Sequence, residues 1–137
     1  MHVTKLNRRT FLLGTAALTL APLAAQASFE SYTPGAIQSA LAAGETVFVD
    51  FSARWCTTCA RQERVINALR AENPAYDQAM RFIKVDWDTY RRHEVTTSRN
   101  IPRRSTLLVL RGNSELGRII AGTRQSQIKA LMDVGLS

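Results

Sequence analysis

The sequence predicts a single α/β domain, a central β-sheet flanked by helices, behind an N-terminal leader. Three observations carry this. Segments with strand-like and helix-like patterning alternate from residue 29 onward. One strand, residues 45–51, carries β-branched and aromatic side chains on both faces, as a strand covered on two sides does. The chain has 137 residues, 45% of them hydrophobic, which suits one packed core.

The first 27 residues stand apart from that core. Lys5, Arg8 and Arg9 make a positive start, residues 11–20 an apolar run, and Ala25-Gln26-Ala27 a small-residue cleavage site. This is the pattern of a secretory signal, with a run too short for a first reading as a membrane span. Asn7-Arg8-Arg9-Thr10-Phe11-Leu12 also resembles the twin-arginine motif of the bacterial pathway that exports folded proteins. The alternative is a general secretion signal that holds two arginines. Cleavage after Ala27 leaves residues 28–137 in the periplasm, with no stable membrane insertion. Uncleaved retention as an anchor is the minority alternative.

Lys and Arg number 18 against 11 Asp and Glu, a formal charge of +7, with three of the bases in the leader. The surplus left to the domain favours solubility and acidic partners, and by itself does not argue for nucleic acid.

Within the domain, Phe29-Glu30-Ser31-Tyr32 alternates as a short edge strand. Thr33 and Pro34 read as an N-cap and first helical residue, opening a helix through Ile37 and Leu41 that stops near Gly44. Residues 45–51 form the central strand. The longest helix spans residues 56–72, with Val65, Ile66 and Leu69 as its apolar stripe and Asn73-Pro74 as its stop. Arg61, Glu63, Arg64 and Arg70 read as its solvated face. Residues 81–86 alternate as a strand, and residues 88–99 form a polar helix. Residues 106–110 and 116–121 are strands around the turn Arg111-Gly112-Asn113-Ser114, and residues 125–134 close the domain as a helix.

The only two cysteines, Cys56 and Cys59, sit where the central strand gives way to the long helix. At this spacing Cys56 lies at the helix N-terminus with its sulfur exposed, and Cys59 one turn along, partly buried. Unpaired N–H groups and the positive end of the helix dipole stabilise an anion there. The Cys56 thiol should therefore ionise below the roughly 8.5 of a free cysteine, and the thiolate is the nucleophile of disulfide exchange. A purely structural bridge is a poor explanation, because so short a loop removes little chain entropy.

The run Val49-Asp50-Phe51-x-Ala53-x-Trp55-Cys56-x-x-Cys59 resembles the active-site segment of the thioredoxin family. The dipeptide between the cysteines is Thr57-Thr58 where ordinary thioredoxins have Gly-Pro. In style the segment is closer to thioredoxin-like domains that act outside the cytoplasm, such as the C-terminal domain of the transmembrane disulfide reductase. The element order β-α-β-α-β-α-β-β-α is that of the thioredoxin fold, so the resemblance implies a central mixed sheet flanked by helices. It also implies a protein thiol–disulfide oxidoreductase in which Cys56 attacks and Cys59 resolves. Asp50 would be the buried acid that assists deprotonation of Cys59, as a desolvated carboxyl with a raised pKa can. The plainer reading of Asp50 is a solvated strand end. Trp55, Thr57 and Thr58 would meet the substrate; the plainer reading of Trp55 is core packing, and the two are compatible. Thr57 and Thr58 add no positive charge, which points to a reducing or intermediate couple. Arg54 and Arg61 flank the pair, and either bias Cys56 toward thiolate or are ordinary surface charges.

The sequence departs from the family at Pro102-Arg103-Arg104-Ser105-Thr106-Leu107-Leu108. Thioredoxins place a cis-proline, facing the disulfide, just before this Thr-Leu-Leu strand. Anchored on the strand onset, that position is Ser105, and Ser105 with Thr106 joins the docking set. The other possibility is a rebuilt loop in which Pro102 serves. Arg103 and Arg104 either meet an acidic partner or are solvated.

No phosphate loop, nucleotide fingerprint or nucleic-acid module is present in the sequence, and no cofactor is expected. His93 is the only histidine of the domain, which with two cysteines falls short of a four-ligand zinc set. The rival class is a non-enzymatic module in which the dithiol and Ser105 hold a metal or an iron–sulfur cluster. The expected partners are oxidised protein substrates and a membrane thiol reductase, and the expected state is a monomer.

Overall fold

A computed structural model describes Ala17 and residues 28–137; the leader's signal motifs lie outside the described residues. Eleven elements follow in order: β1 (Glu30–Ser31), α1 (Ala36–Ala42), β2 (Thr46–Ser52), α2 (Thr57–Glu72), α3 (Ala75–Ala79), β3 (Met80–Asp86), α4 (Trp87–Tyr90), α5 (Glu94–Thr97), β4 (Thr106–Arg111), β5 (Ser114–Ile120) and α6 (Gln125–Val134). The sheet order is β1-β3-β2-β4-β5. β3 runs parallel to β1 and β2, while β4 is antiparallel to β2 and β5. This is the thioredoxin fold, a mixed five-stranded sheet between helices.

All seven residues of β2 are buried, because helices cover both of its faces. Val47, Val49 and Phe51 point to a core shared with Ile37 and Ala40 of α1, Val95 of α5 and Ile101. Phe48 points the other way, among Ile66 and Leu69 of α2, Tyr76 of α3 and Ile128 of α6. Phe48 stacks on Phe82 of β3 with ring centroids 5.1 Å apart. On the same side, Gly117 of β5 leaves room for α6, since a Cβ there would stand 2.7 Å from Leu131 Cδ1. Asp50 lies two residues from Phe48 and so on the same face of β2, the one that α2 covers.

Three local expectations change. Thr33 does not cap α1: Ala36 N–H donates to the Thr33 carbonyl in a turn centred on Pro34-Gly35. Gly35, at φ 87, is the N-cap and makes no side-chain bond. The single helix expected over residues 88–99 is two four-residue helices. The Asp86 carboxylate accepts from Thr89 N–H and His93 Nδ1 from Val95 N–H, so two caps in succession break what composition left continuous. Arg70 is not on a solvated face. It is buried, paired with Asp77 at 2.6 Å, with its guanidinium 4.1 Å from the Phe82 ring centroid. The short helix α3 brings Asp77 within its reach.

Candidate active site

The end of β2 turns at Ala53, whose carbonyl accepts from Cys56 N–H, and α2 begins at once. Cys56 is the N-cap of α2, with extended backbone, and its sulfur accepts the Cys59 N–H at 3.1 Å. A thiolate here would take the hydrogen bond that a capping oxygen takes elsewhere, at the positive end of a 16-residue helix. Cys56 and Cys59 stand at disulfide distance, with Cα atoms 5.3 Å apart.

Cys56 is less open than its position suggested, with 4% of its surface exposed against 1% for Cys59. Trp87 packs against Ala53 and the two cysteines, and the Ser105 hydroxyl covers the sulfurs. Cys56 nevertheless lines a cleft of about 580 Å³ together with Ser52, Ala53, Arg54, Glu63 and Lys84. A depression of about 680 Å³ elsewhere, against Gln38, Arg99 and Arg118, holds no residue of this site.

Asp50 is wholly buried, and neither carboxylate oxygen has a hydrogen-bond partner. Burial pushes its pKa up to about 7; the Lys84 charge opposes this and Glu63 reinforces it. Lys84 is Asp50's ladder partner on β3, but its ammonium is paired with Glu63 of α2 at 2.8 Å. The geometry therefore places a carboxyl poised near neutrality beneath the helix that carries the cysteines.

Ser105 is fully buried, with φ 63, and its Oγ lies 3.2 Å from Cys56 Sγ and 3.0 Å from Cys59 Sγ. Pro102 is exposed in the preceding loop, and no peptide bond among the described residues is cis. Thr106 presents no side chain at the surface. Its side chain is buried, and its hydroxyl donates to the Arg103 carbonyl at 2.7 Å, because the first residue of β4 is enclosed by β2 and β5.

Trp55 is 59% exposed on the rim, not core packing. Its indole N–H donates to Asp88 at 3.0 Å, and the Arg104 guanidinium lies 4.4 Å from its ring. Thr57 is exposed and Thr58 half-buried beside it. Arg54 and Arg61 are exposed. His93 packs against Tyr32 and Tyr90, away from this constellation. Among the described residues, no three His, Cys, Asp or Glu side chains stand together as a metal-holding group.

Gln62 was missed by sequence reasoning. It is fully buried on α2, donating to the carbonyls of Ser105 at 3.0 Å and Gly122 at 2.9 Å. Its spacing from Cys59 and Ile66 placed it on the helix's inward stripe, which was the available signal.

The family model described as thioredoxin matches residues 28–134. Among solved structures, the crystal structure of Trxlp from Edwardsiella tarda shares 35% identity at a TM-score of 0.66, covering 76% of this chain and 98% of that one. The oxidised thioredoxin of Plasmodium falciparum shares 29% identity at a TM-score of 0.65, over 80% of this chain and 100% of that one. Malassezia sympodialis thioredoxin is alike in fold, with a TM-score of 0.70 at 19% identity over 86% and 99% of the two chains. No protein of curated function matches the chain.

Proposed function

Because this chain belongs to the thioredoxin family and is a thiol–disulfide oxidoreductase with Cys56 and Cys59 as its redox pair, we propose that it is an exported reductant of disulfides in partner proteins. The observation that carries the reading is Cys56 as the N-cap of α2, its sulfur accepting the Cys59 N–H.

In the proposed cycle, the Cys56 thiolate attacks one sulfur of a partner disulfide. A mixed disulfide forms, and the partner's other sulfur leaves as a thiolate that takes up a proton. Asp50, ionised, accepts the Cys59 proton by way of a water molecule, which suits a carboxyl held near neutrality with no direct partner. The Cys59 thiolate then attacks Cys56 Sγ, closing the intramolecular disulfide and expelling the partner's second sulfur. Two electrons pass to the partner. A membrane thiol reductase would restore the dithiol. Trp55, Thr57 and Thr58 form the rim over which the partner docks.

Export rests on the leader, with its Arg8-Arg9 pair and its small-residue site at Ala25-Gln26-Ala27. The start of the family match at residue 28 supports a domain boundary there. The absence of added positive charge at Thr57-Thr58 supports the reducing direction. Expression of Cys59→Ser in a bacterial host with an intact export pathway is the test. Mixed disulfides with periplasmic proteins are expected, absent in Cys56→Ser. A Cys59→Ser protein found only in the cytoplasm, or one trapping no partner, would refute the reading.

A further inference from the structure

Gln62 sits one turn beyond Cys59 on α2 with no surface reaching solvent. Its Nε2 bonds the Ser105 and Gly122 carbonyls, while its Oε1 is buried without a partner. An apolar side chain of the same size would avoid that unsatisfied acceptor, so the amide needs a compensating role. Ser105 in turn holds a left-handed backbone that a serine adopts only with strain.

We propose that Gln62 is a positioning residue for disulfide exchange: its amide clamps the main chain of Ser105 so that the serine hydroxyl donates to whichever active-site sulfur is anionic. This rests on exchange at Cys56 and Cys59 but on neither its direction nor its compartment.

Three hydrogen bonds fix the Ser105 main chain. Its N–H donates to the Phe51 carbonyl at 2.7 Å, and its carbonyl accepts from Ala121 N–H at 2.9 Å and from Gln62 at 3.0 Å. Two of those anchors come from strand and loop backbone; the third is the only side chain among them. So held, the hydroxyl is nearly equidistant from the two sulfurs. Negative charge resides on Cys56 before attack and on Cys59 during resolution, and one hydroxyl serves both without backbone movement. A hydroxyl bonds a thiolate more strongly than a neutral disulfide sulfur, so the clamp favours the dithiol and tempers the reducing strength of the couple.

The test is the thiol titration of the reduced protein by ultraviolet absorbance, together with its equilibrium with glutathione. Wild type, Ser105→Ala, Gln62→Met and the double variant are compared. Each single substitution should raise the Cys56 thiol pKa by about one. Each should also make the couple more reducing by about 30 mV, a tenfold change in equilibrium constant. The double variant should go no further than Ser105→Ala alone, because Gln62 acts through the hydroxyl. A Gln62→Met protein with lowered Tm but unchanged thiol pKa overturns the proposal, as do additive shifts in the double variant. If Gln62→Met does not fold, Gln62→Asn, whose amide is too short for the clamp, decides by the same criteria. Neither readout needs a protein substrate. Failure of the wild-type dithiol to equilibrate with glutathione would instead sink the activity itself, and the titration would still decide the clamp.

Discussion

Asp50 and Lys84 are partners across the parallel ladder of β2 and β3, yet Lys84 gives its ammonium to Glu63 and leaves the Asp50 carboxylate without a hydrogen bond. The carboxyl is thereby left to the consequences of burial, with its pKa near 7 in place of 3.8.

Stability should fall as pH rises through this range. The folded state binds the Asp50 proton more tightly than the unfolded chain does. Its stabilising contribution is complete below the unfolded pKa of 3.8 and lost as pH rises through about 7. Asp50→Asn should remove that slope and leave the protein more stable above neutrality by up to about 4 kcal/mol. Urea unfolding at about pH 5 and about pH 8 reads it; equal slopes for the two proteins would refute the assignment.

The Glu63 carboxylate holds Asp50's pKa up directly, and does so again by engaging Lys84. In Glu63→Gln the ammonium is released toward Asp50. The acidic limb of the pH–rate profile for disulfide reduction should then move down by about one pH unit. An unmoved limb would mean that the base is not Asp50.

Trp55 contributes a surface, not core packing. Trp55→Ala should change stability by less than about 1 kcal/mol, since the lost Arg104 stacking and Asp88 bond are exposed. It should raise KM for a protein disulfide about fivefold, the equivalent of about 1 kcal/mol of contact, with reduction of a small disulfide unaffected. Equal losses on both substrates would remove Trp55 from docking.

Arg70 and Asp77 make an asymmetric pair, with side chains 6% and 33% exposed. Asp77→Ala strands a buried guanidinium and should cost about 3 kcal/mol, whereas Arg70→Met removes the charge and should cost less than half of that. Thermal unfolding of the two variants gives the order, and the reverse order would show that the pairing contributes little.

The path from residue order to this fold was legible where local chemistry and tertiary packing agree. The two-faced apolar strand β2, the Gly112-Asn113 hairpin and the stripe of α6 each state their own environment. The Cys56–Cys59 spacing located the redox pair, and the strand onset at Thr106 put Ser105 rather than Pro102 against it.

What stayed hidden was polar burial. Arg70 and Gln62 are residue types that composition assigns to water, and each is buried where other groups take its polar atoms. For Arg70 the partner is Asp77, on a helix too short to stand out in the sequence. For Gln62 the partners are carbonyls 43 and 60 positions away. Thr106 misled in the same direction, because a hydroxyl beside a site reads as a contact until its own loop claims it.

β2 is hydrogen-bonded on both sides, and Asp50 sits in the middle of those paired runs, opposite Lys84 on one flank and Leu107 on the other. A strand gripped in this way is a rail, along which no hinge lets the acid swing outward to trade its hydrogen ion. Any such trade has to bring solvent inward, so the tempo of this carboxyl is governed by visiting water molecules and not by motion of the chain that carries it.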